Sequence, residues 1–229
     1  MFNNINTRSV TFNLIAINVV LFIATLAFPQ LDQLLGLHYI FNTHHYAEGS
    51  NFQPYQIITH MFMHGGFMHI LFNMYGLFMF GNILEQVWGP KKFLTYYMIT
   101  GFGSVVLDMV VKLIIVHNFT GSFDPSLSQL ENFPQVYGTY LSNTIGASGA
   151  IYGVLVAFAM LFPNTDLYLM FVPVPVKAKY LIGFFILFEL YLGFRMSNDD
   201  NVAHFAHLGG ALFGFILVKI WNRNRTNFY

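Results

Sequence analysis

Long apolar stretches alternate with short polar ones along most of the chain, and the apolar stretches are too continuous for soluble helices. Roughly 20 apolar residues are needed to cross about 30 Å of hydrocarbon as a helix. Six segments approach that length, at about residues 9–28, 67–87, 93–116, 147–162, 179–195 and 202–221. The first is uninterrupted, and the others carry glycines and polar residues that blur their edges. The pattern predicts an all-α, polytopic six-span helical bundle forming a single domain over 1–229, with its core at about 53–221. Two connections are long, Pro29 to Thr59 and His117 to Ile145, and their prolines, asparagines and aromatics suggest partial order near the interface. The role of the second is not indicated by its sequence.

Composition reinforces this reading. The 229 residues are 55% hydrophobic and 18% aromatic with only 9% charged, against about 25% charged in soluble domains. Net charge is zero, which offers nothing to nucleic acid, and the absence of cysteine excludes disulfides, thiolate metal sites and a cysteine nucleophile. The polar N-terminus, Met1 to Arg8, runs into an apolar stretch with no small-residue cleavage site, so an uncleaved span is expected rather than a signal peptide. Arg8, Lys91 and Lys92, Lys177 and Lys179, and Lys219, Arg223 and Arg225 fall on one side of a six-span chain, against Arg195 alone on the other. Positive charge marks the cytoplasmic side, so a multi-pass cell-membrane protein with both termini in the cytoplasm and both long loops outside is expected.

Within the spans a few polar groups stand out. Asp108 and Lys112 are four apart and can pair on one helix face. Glu189 is an acid in the fifth span, costly there unless it faces protein or water; a structural hydrogen bond and a role at a site are equally open. Gly146-Ala147-Ser148-Gly149 opens the fourth span after polar Ser142-Asn143-Thr144. Small-residue packing explains such a tetrapeptide without chemistry, but a serine at a helix N-terminus also lies beside free amides that can hold an oxyanion. Position 150 is alanine, so this is not the Gly-x-Ser-x-Gly elbow of soluble hydrolases.

In the last span His207, Gly210 and Gly214 share one face at i, i+3 and i+7. A glycine stripe admits a neighbouring helix, and a histidine on it would touch that neighbour, as a structural partner or as the base a serine nucleophile requires. His204 is one turn nearer the outer surface, where water is expected to serve it. A third group is His60, His64, His69 and Asn73. His69 and Asn73 share a face and together can donate to an oxyanion. A zinc site is the competing reading, but no His-Glu-x-x-His is present and no carboxylate follows until Glu85. With Ser142 and Asn143, these side chains can line a water-filled cavity.

Taken in order along six spans, serine after Gly-x, histidine before x-x-Gly-x-x-x-Gly and the His-x3-Asn pair resemble the rhomboid intramembrane proteases, from about Gln53 to Gly214. The resemblance implies a serine endopeptidase that cuts peptide bonds in or near the transmembrane segments of other membrane proteins, favouring small residues at the cut, through an acyl-enzyme and without metal or other cofactor. It implies Ser148 as nucleophile and His207 as base, with Tyr152 as the ring on which the histidine packs. It further implies His69, Asn73 and the Ser148 amide as the oxyanion hole, and Glu85 as an acid bracing the second span and the outer loop. Gly146, Gly149, Gly210 and Gly214 would support the site. Where the family often has Trp-Arg in the first outer loop, this chain has Tyr55-Gln56, so a differently anchored loop is expected. A transporter or channel is a weaker reading, because acids are few and no duplicated half is visible. A non-cutting relative is another, opposed by the presence of Ser148, His207 and Asn73.

Overall fold

The structure, a computed structural model, describes residues 9–43, 51–168, 174–195 and 203–222. The expectations placed on Arg8, Arg223 and Arg225 therefore lie outside the described residues. Helix α1 (Val10–Ala27) matches the first predicted span. The second is one rod in three parts: α4 (Phe67–Gly76), a π-helical turn at Leu77–Gly81 and α5 (Asn82–Trp88), preceded by the short α2 (Gln30–Leu35) and α3 (Gln56–Thr59) in the first long loop. Helix α6 (Pro90–Thr120) is longer than its sequence pattern suggested, because the apolar phase continues until Gly121 ends it in a left-handed conformation. The second long loop holds α7 (Leu127–Glu131) and α8 (Pro134–Leu141), and α9 (Ser148–Leu161), α10 (Ala178–Arg195) and α11 (His204–Asn222) follow. A two-stranded hairpin, β1 (Asp166–Tyr168) against β2 (Pro175–Lys177), joins α9 to α10 and was not expected; Lys177 and Asp166 pair across it at 2.8 Å.

Four of these rods are long and apolar enough to cross a membrane: α1, the α4–α5 rod, α6 and α11. The other two predicted spans depart from that standard for separate reasons. Helix α10 carries Lys179, Glu189 and Arg195. Helix α9 has only 14 residues, a rise of about 21 Å. Large exposed apolar side chains stud α1, α4, α6, α10 and α11, but none belongs to α9. Lipid is thus the solvent of the outer helices, and α9 is the helix they enclose. A helix with no lipid face has no reason to match the bilayer in length.

What packs around α9 is set by small residues. Helix α11 packs most extensively on α6 and α9. A methyl group placed on Gly210 would overlap the backbone carbonyl of Gly149, and one on Gly214 would stand 2.9 Å from the Cα of Gly153. Gly149 and Gly153 in turn face the side chains of Ser104 and Thr100 on α6. Tyr96 closes the seam by donating its hydroxyl to the Gly153 carbonyl at 2.8 Å. At the far end of the seam Trp88, Tyr96 and Trp221 meet in tilted and edge-to-face contacts, with Lys92 over the Trp221 ring at 4.4 Å.

Glu85 has a different task from the one expected. It accepts from the Val10 and Thr11 amides and from the Ser9 and Thr11 hydroxyls, at 2.7–2.9 Å. It therefore binds the second rod to the start of α1, at the end of the bundle away from the long loops. Free amides and a positive dipole end are what a carboxylate seeks. The first long loop is anchored by Gln56, which is buried. Its carboxamide oxygen accepts from the His38 and Gln53 amides, and its nitrogen donates to the Leu34 and Asn51 carbonyls.

The seam predicts an asymmetry among glycine substitutions. Gly210→Ala meets a backbone carbonyl that cannot rotate away, and should destabilise by about 1–3 kcal/mol. Gly183→Ala, inside α10 with open space around it, should be neutral or stabilising by up to about 1 kcal/mol. Thermal unfolding of both variants in the same detergent tests the contrast.

Candidate active site

The segment that leads into α9 is held from several directions. Leu37 and Thr144 form an isolated antiparallel bridge, exchanging backbone hydrogen bonds of 2.9 and 2.8 Å, which ties one long loop to the other. Below it, the Thr144 hydroxyl donates to Asp108 at 2.9 Å and accepts from Lys112 at 2.6 Å, while Asp108 and Lys112 pair at 3.0 Å. The pair foreseen on α6 is thus also a clamp on the chain before the serine. Two residues later the Gly146 amide donates to the His60 carbonyl at 2.9 Å, with Gly146 at φ 131°, a conformation that favours glycine. Ser148 then begins α9 with no side-chain cap before it, so the first-turn amides have no acceptor within the helix.

Across the glycine seam, His207 Nε2 lies 2.7 Å from Ser148 Oγ, although the two residues are 59 apart in sequence. The Tyr152 ring, one turn after the serine, stacks on the His207 imidazole with centroids 4.5 Å apart and planes 8° apart. The structure thus brings Ser148, His207 and Tyr152 together. On the other flank α4 runs alongside the start of α9. Gly76 faces Ile151, and a Cβ at position 146 would stand 2.9 Å from His69 Nε2 and 3.4 Å from Ser148 Oγ. Asn73 lies between those two levels. It is buried, and its Nδ2 finds no partner among the described residues.

The six side chains expected to line one cavity divide. His60 is bound to the Gln56 carbonyl through Nδ1 at 2.8 Å. Asn143 donates to the Asp32 carbonyl, and Ser142 is exposed. Only His64, His69 and Asn73 remain on the serine side, with the His64 and His69 rings edge to face at 5.0 Å.

His204 differs from expectation, and Glu189, for which a structural hydrogen bond and a role at a site were equally open, lies beside it. His204 is buried rather than water-served, and its Nδ1 is 2.5 Å from Glu189 Oε2. Glu189 Oε1 accepts from the Tyr152 hydroxyl at 2.5 Å and lies 3.1 Å from His207 Nδ1, where the ring N–H does not align as a hydrogen bond. The cost of an acid in a span was the sequence signal for Glu189; nothing in spacing tied it to α11. Glu189, His204 and His207 bring ligand-type atoms within 4.8 Å of one another. Each is already engaged with another side chain, so the group is a hydrogen-bonded network rather than an open cage.

A shell of lipid-facing helices around one short enclosed helix, with serine against histidine at its head, defines a polytopic membrane protein with an internal polar site. The chain belongs to the rhomboid family: the family profile described as Rhomboid domain matches residues 51–224. It is 27% identical to the RHOMBOID-like protein 12, mitochondrial, of Arabidopsis thaliana over 213 residues, 90% of this chain and 56% of that protein. The RHOMBOID-like protein 6, mitochondrial, of the same plant is 28% identical over 72% of this chain and 43% of its own length. The presenilin-associated rhomboid-like protein, mitochondrial, of Homo sapiens is 30% identical over 72% of this chain and 41% of its own. The chain thus spans about half the length of these curated relatives. Their names overturn the expected address: a cell membrane, with termini in the cytoplasm, does not stand against relatives that are mitochondrial.

The Thr144 clamp predicts graded losses of stability. Thr144→Val removes one satisfied hydroxyl and should cost about 1–3 kcal/mol. Lys112→Met leaves Asp108 buried without its cation and should cost more, about 3–5 kcal/mol. Thermal unfolding that ranks Thr144→Val as the more damaging variant would contradict the assignment.

Proposed function

We propose that this chain is an intramembrane serine endopeptidase, a single rhomboid domain over 1–229 that cuts peptide bonds in or near transmembrane segments of other membrane proteins. The observation that carries the reading is the 2.7 Å contact between Ser148 Oγ and His207 Nε2 inside a lipid-facing bundle. His207 Nε2 takes the hydroxyl proton as Oγ attacks the scissile carbonyl carbon. The carbonyl oxygen becomes an oxyanion beside the Asn73 amide group, the Ser148 N–H and His69. The buried, unpartnered Asn73 Nδ2 supports that role, since a donor without an acceptor is costly in the resting protein. As the intermediate collapses, the C–N bond breaks and His207 returns its proton to the leaving amine, with the acyl group on Oγ. Water, deprotonated by His207, then attacks the ester carbonyl and regenerates Ser148. Neither metal nor cofactor enters these steps.

Lipid is one partner and membrane-protein substrates are the other, with small residues favoured at the cut. The names of the relatives support a mitochondrial membrane as the setting.

Ser148→Ala should abolish cleavage of a reporter transmembrane substrate and labelling by a fluorophosphonate, while the thermal unfolding midpoint stays close to wild type. His207→Ala should be as inactive, and the double variant no worse, because the two act as a unit. Substantial turnover by purified Ser148→Ala would sink the mechanism.

Asn73→Ala should lower kcat, on the order of 100- to 1,000-fold for a lost oxyanion donor, with KM little changed. An unchanged kcat with a raised KM would make Asn73 a substrate-binding residue instead.

A further inference from the structure

Glu189 has no part in the two-residue chemistry just described, yet it makes the densest set of polar contacts at the site. An ionisable side chain inside a span is costly and is retained where it does something. Its carboxylate meets three side chains from two neighbouring helices: Tyr152 on α9, and His204 and His207 on α11. The contacts form a closed figure. The Tyr152 ring lies flat on the His207 imidazole, the Tyr152 hydroxyl donates to Oε1 at 2.5 Å, and the same Oε1 stands 3.1 Å from His207 Nδ1. His204 Nδ1 holds the second oxygen, Oε2, at 2.5 Å. Both oxygens of the carboxylate are therefore fixed, one by each flank, with one of them turned toward the edge of His207 that faces away from the serine.

A histidine can take a proton at Nε2 only if its other nitrogen carries the hydrogen. The group opposite Nδ1 decides that tautomer. A carboxylate accepts and does not donate. Facing Nδ1, it selects the form with a bare Nε2 toward Ser148. It also places a negative charge beside the imidazolium that exists once the serine proton has moved. The remaining neighbours cannot substitute. Helix α6 presents uncharged Gly103 and Ser104 to the α9–α11 seam, and Asp108 and Lys112 are committed to each other and to Thr144. His69 approaches from α4, on the serine side. The 3.1 Å contact is not aligned as a hydrogen bond in the resting protein; such contacts commonly tighten only when substrate is bound.

We infer that Glu189 is a positioning residue that completes a three-membered arrangement, Ser148–His207–Glu189, with Tyr152 and His204 holding its carboxylate against His207 Nδ1. The inference rests on the reading of Ser148 and His207 as nucleophile and base. It is separable from that reading, because a two-residue site would work without Glu189.

The test uses the full chain reconstituted in liposomes, with a reporter transmembrane substrate and a fluorophosphonate probe. Glu189→Gln keeps the size of the side chain, removes the charge and replaces one acceptor oxygen with an amide donor. It should lower kcat and the rate of probe acylation on the order of 100-fold with KM unchanged within about twofold, while the unfolding midpoint moves little. A purely structural brace would instead show a lowered unfolding midpoint and turnover close to wild type in the folded fraction. A second pair, Glu189→Asp against Glu189→Asn, shortens the side chain equally and varies the charge together with one acceptor oxygen. The aspartate variant should turn over at least about tenfold faster than the asparagine variant. Wild-type kcat in folded Glu189→Gln, or equal kcat in the aspartate and asparagine variants, overturns the inference and leaves the nucleophile untouched. Failure of the wild-type chain to react with the fluorophosphonate overturns the underlying reading itself.

Discussion

The close approach of α9 to α11 governs the rest of this molecule. Between two ordinary apolar helices the axes stand 8–10 Å apart, and a serine on one could not share a proton with a histidine on the other unless a longer side chain bridged them. Here Gly210 meets the backbone of Gly149, and Gly214 meets that of Gly153. With no Cβ between them the backbones come together, and the short Ser148 side chain suffices to reach His207. Helix α6 completes the arrangement by offering only Thr100 and Ser104 to the other face of the same glycines. In lipid there is little hydrophobic drive for helices to associate, so tight van der Waals contact and buried hydrogen bonds must hold them. Tyr96 on the Gly153 carbonyl and Lys112 with Asp108 on Thr144 are examples of the second kind.

Much of this was legible in the sequence, for physical reasons that can be named. The spans were visible because lipid demands long apolar runs, and the seam because glycine recurs at a helical interval after His207. The face shared by His69 and Asn73 is a consequence of their spacing alone. What could not be read involved partners from different helices. Nothing in the chain links Glu189 to Tyr152, to His204 or to His207, since Glu189 lies on α10 and its partners on α9 and α11. His204 looked water-served because depth along a helix says nothing about what covers its side. Glu85 was assigned to the outer loop, whereas the free amides that attract it belong to the start of α1, some 75 residues earlier.

The long loops illustrate a second limit. Their prolines and aromatics signalled partial order, but not that Leu37 and Thr144 would pair as strands. Nor did they show that Asp124 would accept from Thr43 and Tyr140, so that the loops brace one another. That bracing is tertiary and leaves no periodic trace. Its result is that the short stretch from Thr144 to Gly146 is fixed on both sides before the fourth span begins.

Because α9 has no lipid face, the position of Ser148 is set by protein neighbours and not by the thickness of the bilayer. The outer helices can tilt, or the lipid can thin around them, at a modest cost for each ångström of mismatch. The enclosed helix stays in place relative to the bundle as they do so. A single helix of another protein in the same bilayer, by contrast, keeps its register with the lipid. The stretch of such a helix that comes level with Ser148 therefore depends on the membrane in which the two proteins meet. If Ser148 acts as proposed, a thicker or thinner bilayer would move the point of attack along that helix without altering a residue of this chain.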